Sequence, residues 1–460
     1  MPIPSQPQPI TLESLGGAPD YFEPQSCRYL VRTDSGHWLP LFEASYKRHL
    51  RADGVNPKPE EGTPLSDIDA IVLDVQKSNH ISHYGPICGR NAGLLEANGQ
   101  RILVTEDLRL PEPAPGLWTN LRAVIEGLLS AGEDEATGRR QVATFHGWIK
   151  SSVEALRAGR IQQQQALALC GPPGCGKSFL QGIITHMLSG RAAKAERYFS
   201  GKTPFNADLY GAEHLILEDE HCSTRIDCRL KLGASLKQHT VSTYLGSLHA
   251  KGRNAVNLPG WWRVSITLND DPEAMMVLPP LDQHIADKII ILRASIFEWP
   301  QPMATTADRT GFHAQVISEI PGYLRWLLHV WEAPEEAIDR HRYNVATFHH
   351  PELVEAMHQF SPEAELHELL QITYADAALH RQSVEATAAE IESAIRHREP
   401  VRADRLFSFR TACGTYLGRL AKRHPRHLEQ MRDTKRRWWV IEPAFLSNNP
   451  PSMTPSYDTL

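Results

Sequence analysis

The chain has 460 residues, of which 41% are hydrophobic and 22% are charged. One hydrophobic core does not serve so long a chain, so the length predicts a globular protein of about two to four domains. The formal net charge of −6 excludes a generally basic surface. Any contact with nucleic acid therefore has to come from local basic clusters.

The cysteines and the N-terminal sequence indicate the cellular compartment in which the protein is expected. The seven cysteines are scattered and form no C-x-x-C pair, which favours reduced thiols over a disulfide framework or a zinc site. The N-terminal sequence lacks a basic segment followed by an apolar core, so no signal peptide is predicted. No apolar run approaches the length of a spanning helix. We expect a soluble, cytoplasmic protein with no membrane partner.

The first part of the chain separates into an accessory region and a helical region. Residues 1–116 mix short apolar runs with many Pro and Gly residues and are predicted to form an accessory domain of unknown role. Within them, residues 101–110 are typical of a strand and residues 111–116 of a linker. Residues 117–160 carry apolar side chains at helical spacing. We expect them to form a helical collar that supports oligomerisation.

Strand and helix signals alternate from Ala166 to about Ala294, which predicts an α/β fold with a largely parallel sheet and helical crossovers. The run GPPGCGKS follows an apolar strand and opens a helix, as a phosphate-binding P-loop does. Its glycines allow backbone N–H groups to turn towards phosphate oxygens. The predicted nucleotide-binding residues are Gly171, Pro172, Pro173, Gly174, Cys175, Gly176, Lys177 and Ser178.

Roles within this loop and on the next acidic strand follow from the chemistry of phosphoryl transfer. Lys177 is predicted to reach the β- and γ-phosphates of ATP, and Ser178 to ligate Mg²⁺. In EHLILEDEHCS, an apolar strand ends in carboxylates at the sheet edge where the loop lies. Asp219 is predicted to complete the Mg²⁺ site, and Glu220 to orient or deprotonate the attacking water. Glu218 would replace one of them if the register shifts by one residue.

Three pieces of sequence occur in order within residues 171–294: GPPGCGKS, PFNADLYGAEHLILEDE and HAKGRNAVNLPGWWRVSITLND. Together they resemble the helicase domain of superfamily 3, found in parvovirus, papillomavirus and polyomavirus replication proteins and in phage or plasmid primase-helicases. The resemblance covers about a quarter of the chain. It implies an AAA+-like P-loop ATPase core (residues 161–300) that uses ATP and Mg²⁺. It also implies a ring, expected to be a hexamer, that unwinds DNA in the 3′→5′ direction to replicate a phage, plasmid or other mobile element.

The resemblance also assigns roles to a sensor residue and to a basic hairpin. Asn269, at the end of the strand WRVSITL, would sense the γ-phosphate or its water. His249, Lys251 and Arg253 would lie on a β-hairpin in the central channel, where cations can grip successive phosphates of a single DNA strand. The alternative is that Lys251 and Arg253 are solvated turn cations.

In the same family, a cation from the neighbouring subunit stabilises the transferring phosphoryl group. This chain has Lys288 where the family has arginine, and a lysine presents a point charge instead of a bidentate fork. The resemblance therefore leaves Lys288, Arg293 or another arginine such as Arg263 as candidates. A solvent-facing lysine at a strand end is the alternative reading of Lys288.

The C-terminal region is locally basic. Residues 301–380 are predicted to form a helical subdomain, residues 381–445 a winged-helix-like DNA-binding module and residues 446–460 a disordered tail. From residue 395 to 437 there are 13 Lys or Arg against 4 Asp or Glu. Such an excess favours salt-sensitive contacts with phosphates, although a basic protein-interaction domain is the alternative. The predicted DNA-binding residues here are Arg419, Lys422, Arg423, Lys435, Arg436 and Arg437.

Two other functions fit these motifs. A DNA-binding ATPase switch, such as an initiator, loader or defence regulator, would assemble on DNA without unwinding it. The second of these functions is that of a helicase subunit that depends on a separately encoded primase. Strand displacement on a forked substrate distinguishes the switch from a helicase.

Overall fold

A computed structural model describes residues 19–218, 226–241, 246–282, 284–359, 362–407, 409–434 and 436–447. The chain divides into two compact units. The larger unit contains the chain through Asp270 together with Val277–His350, and the smaller unit contains Asp271–Met276 and the chain from Pro351 onward. The division after His350 falls inside residues 301–380, which the sequence had assigned to one helical subdomain. That subdomain is therefore split between the units.

The N-terminal module of the larger unit, residues 19–116, is built from two small sheets and two helices. One sheet is antiparallel with the order β1-β2-β3, and the other has the order β4-β6-β5. The strand predicted over residues 101–110 ends earlier, at Val104. The elements are β1 (Tyr21–Glu23), β2 (Arg28–Arg32), β3 (Trp38–Leu41), α1 (Glu43–Ala52), α2 (Asp67–Ser78), β4 (His83–Gly85), β5 (Gly93–Ala97) and β6 (Gln100–Val104).

Two helices follow where the helical spacing predicted them, α3 (Thr119–Ser130) and α4 (Glu135–Arg157). Asp134 caps α4, because its carboxylate accepts hydrogen bonds from the first-turn N–H groups of Ala136 and Thr137 at 3.0 Å. The apolar face of α3 is buried, and α3 packs against α4. These helices lie against the central sheet of the larger unit.

The central sheet has five parallel strands, which confirms the predicted parallel α/β core. Its order is β13-β7-β12-β9-β8, and strands β7 and β12 are buried along their whole length, as expected of a parallel sheet with both faces covered. The strands are β7 (Ala166–Cys170), β8 (Ala192–Lys194), β9 (His214–Glu218), β12 (Arg263–Leu268) and β13 (Ile289–Arg293). The elements between them are α5 (Lys177–Met187), α6 (Glu196–Phe199), α7 (Ala207–Tyr210), α8 (Ile226–Val241), β10 (Ser247–Leu248) and β11 (Val256–Asn257).

After β13 the larger unit continues into one long helix, α10 (Thr306–His329). Thr305 and Asp308 form a capping box at its start, each side chain bonding the backbone N–H of the other. The helix packs against α3, α4 and α5. Among the described residues, no helix has the length and apolar character needed to cross a bilayer.

The smaller unit places helices beside a three-stranded antiparallel sheet with the order β14-β16-β15. Its core includes Leu369, Ile391, Leu417 and Trp439, all at most 3% exposed. Its elements are α9 (Pro272–Met275), α11 (Pro351–Gln359), α12 (Pro362–Thr373), α13 (Ala375–Leu379), β14 (Val384–Ala386), α14 (Ala388–Arg398), α15 (Pro400–Leu406), α16 (Ala412–Arg423), β15 (Leu428–Arg432), β16 (Arg437–Ile441) and α17 (Pro443–Leu446).

Candidate functional site

The glycine-rich loop, residues 171–176, connects the buried strand β7 to α5, which is the context that the sequence motif requires. Gly171 lies so close to the residue after β13 that a Cβ atom there would clash with the carbonyl oxygen of Ala294. Gly174 and Gly176 have φ angles of +75° and +116°, which side-chain-bearing residues rarely adopt. The loop conformation therefore depends on glycine at these three positions.

Lys177 is the first residue of α5, and its side chain folds back into the loop. Its Nζ atom donates hydrogen bonds to the carbonyl oxygens of Gly171 at 2.7 Å and Pro172 at 2.8 Å. The residue is 8% exposed, whereas the next residue, Ser178, is exposed. An ammonium group and the free N–H groups of a helix N-terminus are thus held together, and both attract anions.

Asn269 lies beside this lysine because of the strand order. Strand β12 is the parallel neighbour of β7, with Leu268 opposite Cys170, so the residues that follow the two strands emerge side by side. The Oδ1 atom of Asn269 is 3.4 Å from the Nζ atom of Lys177. These two predicted catalytic residues, 92 positions apart in the sequence, are brought together at one sheet edge.

Strand β9 precedes the predicted acidic residues in the sequence and lies on the other side of β12 from β7. Strand β9 ends at Glu218, whose carboxylate accepts a hydrogen bond from the Nζ atom of Lys194 at 2.6 Å. Asp219 and Glu220 lie outside the described residues, so their assignments to Mg²⁺ and to water activation stay predictions. Within the described part of the chain, no group of three or more His, Cys, Asp or Glu residues could hold a metal ion.

The candidate trans-acting cations lie at different ends of the parallel strands, some at the amino end and one at the carboxyl end. Lys288 precedes β13 and is 5% exposed, and its ammonium forms an ion pair with the neighbouring Asp287. It does not face solvent as a strand-end lysine would, and it would have to leave this pair to reach another subunit. Arg293 ends β13 opposite Cys170, at the same edge as the loop. Its Nη1 atom lies 3.6 Å from the Oε1 atom of Glu133.

Arg263, the third candidate, is part of the core and not available to a neighbouring subunit. It is 2% exposed and starts β12, at the edge opposite to the loop. Its Nε atom donates to Ser152 Oγ at 2.8 Å, and its guanidinium lies 4.1 Å from the ring centre of Trp261. Burial lowers the pKa of Arg263 to about 9. The sequence could not show this, because Ser152, the partner of Arg263, lies 111 residues away in the chain.

The predicted β-hairpin is present, with Ser247 opposite Asn257 and Leu248 opposite Val256. Its three basic residues differ in environment. Lys251 is exposed at the turn. The backbone N–H of His249 donates to Asn206 Oδ1 at 2.7 Å, and its ring contacts Phe205.

Arg253, the third basic residue of the hairpin, contacts the N-terminal module. Its Nη2 atom lies 3.8 Å from the Oε2 atom of Glu23, and its guanidinium carbon lies 5.2 Å from the ring centre of Tyr84. Both partners belong to the N-terminal module. Because the Glu23 carboxylate is fully buried, Arg253 has an electrostatic reason to stay against the module. Of the three predicted channel residues, Lys251 presents the most exposed charge.

Further hydrogen bonds attach the hairpin to the N-terminal module. Asn254 N–H donates to Gln25 Oε1 at 2.6 Å, and Asn257 N–H donates to Gln100 Oε1 at 3.1 Å. Asn98 Nδ2 donates to the carbonyl oxygen of Asn257 at 3.0 Å. Sequence reasoning missed this attachment, because the polar partners lie far apart in the chain and carry no periodic signal.

The predicted DNA-binding residues of the smaller unit lie on two elements, α16 and the β15–β16 hairpin. Lys422 and Arg423 end α16 and are exposed, as are Arg436 and Arg437 near the β15–β16 turn. The Arg436 guanidinium carbon lies 4.9 Å from the ring centre of Trp438. In contrast, Arg419 Nη1 is 2.9 Å from Glu363 Oε1, so part of its charge is compensated. Lys435 lies outside the described residues.

The chain was compared with known proteins by family, sequence and structure. No family model matches it, and no curated protein matches it in sequence. Its structure is similar to the apo structure of the NrS-1 C-terminal region, with a TM-score of 0.54 and 11% sequence identity, over 94% of this chain and 97% of that one. A second apo form of that region gives a TM-score of 0.52 at 10% identity. These matches establish a shared fold.

Proposed function

We propose that the larger unit binds and hydrolyses ATP at the loop formed by residues 171–178. The observation that carries this proposal is the meeting of Lys177 and Asn269, from two neighbouring parallel strands, at the edge where the loop opens. On ATP binding, the Lys177 ammonium would exchange the Gly171 and Pro172 carbonyl oxygens for β- and γ-phosphate oxygens. Asn269 would then lie beside the γ-phosphate and hold the attacking water or a phosphate oxygen.

The remaining catalytic roles are proposed for residues of the sequence motifs and for one cation. Ser178 and Asp219 would hold Mg²⁺, which neutralises charge developing on the phosphates during transfer. Glu220 would take the proton of the attacking water. Arg293, at the loop edge of the sheet, or Lys288, after leaving Asp287, would serve an ATP molecule bound by the neighbouring subunit of a ring. Burial of Lys288 favours Arg293 for this role.

Lys177→Ala tests the ATPase directly. We expect ATP turnover to fall to background, because the loop loses the charge that binds the β- and γ-phosphates. Lys202→Ala is a matched control, since Lys202 is an exposed lysine outside the loop. Phosphate release by the Lys177 variant at the wild-type rate would contradict the proposed function.

We further propose that this ATPase is a superfamily 3 DNA helicase of the primase-helicase type, acting as a hexameric ring with 3′→5′ polarity for a phage, plasmid or other mobile element. The β-hairpin with exposed Lys251 would contact a single strand in the central channel. Strand displacement from forked DNA, driven by ATP and lost in Lys177→Ala, is the expected result.

The smaller unit would supply contacts to duplex DNA. Its strand order β14-β16-β15, with α14 and α16 packed beside the sheet, supports the proposal of a winged-helix-like module. Arg436 and Arg437 would lie on the wing formed by β15 and β16, and Lys422 and Arg423 at the end of the preceding helix. Four exposed cations on adjacent elements favour binding to phosphates, which would weaken steeply with added salt.

A DNA-binding ATPase switch without unwinding activity is the second candidate. The attachment of Arg253 to Glu23 and Tyr84 favours it, since a hairpin held by the N-terminal module would not move freely along DNA. ATP-dependent assembly on forked DNA without strand displacement would select the switch. Restoration of displacement by a separately encoded primase would select the partner-dependent helicase.

A further inference from the structure

An aromatic cluster lies directly beside the glycine-rich loop. The Cζ2 and Cη2 atoms of Trp299 lie 3.1 Å from the position that a Cβ atom would occupy on Gly176. The Trp299 ring centre is 5.5 Å from that of Phe179, at 85° between planes, and 4.7 Å from that of Phe297. Phe312 meets it edge-on at 5.8 Å. Trp299 remains partly exposed, so the cluster holds its ring in place without covering it.

The sheet order tells which end of a bound nucleotide would meet this cluster. The loop follows β7, which has β12 on one side and β13 on the other. Asn269 and the Lys177 ammonium mark the β12 side, where the γ-phosphate would lie. The segment that contains Phe297 and Trp299 follows β13 and closes over the other side, where Ala294 touches Gly171. A nucleotide with its γ-phosphate at Asn269 would direct its nucleoside towards the β13 side.

We propose that Trp299 stacks on the base of the nucleotide bound at the loop. This inference rests on the proposed function and adds the residue that recognises the base. Aromatic rings bind bases through their faces and tolerate different bases. A tryptophan held beside a phosphate-binding loop and partly open to solvent is suited to this role. Phe179, directly after Ser178, positions the Trp299 ring by its edge-on contact.

The experiment compares ligands with and without a base. Binding of ATP, ADP and inorganic tripolyphosphate, each with Mg²⁺, is measured by calorimetry for the wild type and for Trp299→Ala and Trp299→Phe. We expect Trp299→Ala to weaken ATP and ADP about tenfold or more, the size of one base–aromatic contact. Tripolyphosphate should bind within about twofold of the wild type, because the base contact is absent from it. Trp299→Phe should keep most of the affinity for ATP.

A tryptophan of similar exposure provides the control. Trp331 is also partly exposed and has aromatic neighbours, Trp326 and His146, but among the described contacts it touches no loop residue. Trp331→Ala should leave all three affinities unchanged. In addition, ATP should quench the tryptophan emission of the wild type and of Trp331→Phe more strongly than that of Trp299→Phe.

Two results would overturn the assignment of Trp299. Equal weakening of ATP and tripolyphosphate would show that Trp299 supports the loop and not the base, and equal quenching in Trp299→Phe would place the base elsewhere. The quenching measurement needs only the conservative variant, so it decides the matter even where Trp299→Ala fails to fold. A wild-type protein that binds no ATP would instead refute the proposed function itself.

Discussion

At the scale of single residues, the candidate site depends on where polar groups sit relative to strand ends. Lys177 and Asn269 follow neighbouring parallel strands, and the Nζ atom of Lys177 is 3.4 Å from the Oδ1 atom of Asn269. In contrast, Lys288 precedes β13 and Arg263 begins β12, and both are buried. The same residue type therefore has a different capacity for catalysis according to which end of its strand it occupies. Carboxyl ends of parallel strands converge on ligands, and amino ends do not.

Asn269→Ala provides a residue-scale prediction. We expect kcat for ATP hydrolysis to fall by about two to three orders of magnitude, since the variant lacks one polar group aimed at the transferring phosphate. ATP affinity should change little, because Lys177 and the loop remain. The measurements are steady-state ATPase rates and nucleotide titration. Asn56→Ala, at an exposed loop position, is the control, and a purely affinity-driven loss in Asn269→Ala would contradict the sensor role.

At the scale of elements, the β-hairpin and the N-terminal module are held together by side chains from both. Glu23 is fixed in its own turn, since its carboxylate accepts hydrogen bonds from the N–H groups of Gln25 and Ser26 at 2.9 Å. Arg253 is thus held by a carboxylate that is already in place. Burial, together with the charge of Arg253, lowers the pKa of the nearby His83 to about 4. A neutral His83 at neutral pH avoids repulsion at this contact.

Substitutions in the hairpin and at Glu23 should distinguish residues that attach the hairpin to the N-terminal module from the residue that contacts DNA. Arg253→Ala and Glu23→Gln should each speed amide hydrogen exchange across residues 247–257, because the ion pair is lost on either side. Lys251→Ala should leave that exchange unchanged. It should weaken binding to single-stranded DNA and reduce the salt slope by about 0.7, the value for one phosphate contact.

The two hairpin variants and Glu23→Gln should retain basal ATPase activity, since none of these residues has a described contact with the glycine-rich loop. Unwinding by Lys251→Ala at the wild-type rate would remove the hairpin from the proposed DNA path. Unchanged hydrogen exchange in both Arg253→Ala and Glu23→Gln would mean that the backbone bonds to Gln25 and Gln100 suffice to hold the hairpin.

At the scale of the whole molecule, two compact units carry different parts of the proposed function. The larger unit contains the loop and the hairpin, and the smaller unit contains the exposed C-terminal cations. The similarity to the NrS-1 C-terminal region spans 94% of the chain and so includes residues of both units. The larger unit also buries several histidines. Burial lowers the pKa of His146 and His214 to about 3 and that of His239 to about 4.

These three histidines predict an acid-dependent loss of stability. Their unfolded pKa is about 6.5, so below that pH the unfolded chain takes up protons that the folded chain does not. The stabilisation is complete above pH about 6.5 and is lost as the pH falls towards about 4. Each histidine steepens the fall in unfolding free energy by up to about 1.4 kcal/mol per pH unit. Urea unfolding between these limits measures the slope.

His239→Phe is the matched variant for this slope. The ring stacks on Phe199 at 5.1 Å, and its Nε2 atom has no hydrogen-bond partner among the described residues, so phenylalanine preserves the aromatic packing. We expect the unfolding free energy of this variant to depend less steeply on pH, because about one proton fewer is taken up on unfolding. If the unfolding free energy of His239→Phe and of the wild type had the same pH dependence, His239 would take up its proton in the folded protein as it does in the unfolded chain.

The sequence by itself determined the features that depend on local chain chemistry. Glycines at 171, 174 and 176, an apolar run before them and a helix after them define the loop, and alternating apolar segments define the parallel sheet. The face of α16 that carries Tyr416, Leu417 and Leu420 was also predictable, since its spacing is helical and all three are buried. In each case the sequence signal lies within a short, continuous segment of the chain.

Only the tertiary structure decided which distant residues meet. The contact of Arg253 with Glu23, the burial of Lys288 and Arg263, and the position of Trp299 against Gly176 all depend on strand order and on packing between separate elements. Asn254 and Gln25, for example, are 229 residues apart. Such contacts leave no periodic trace, because hydrophobic spacing records which face of an element is buried and not what covers it.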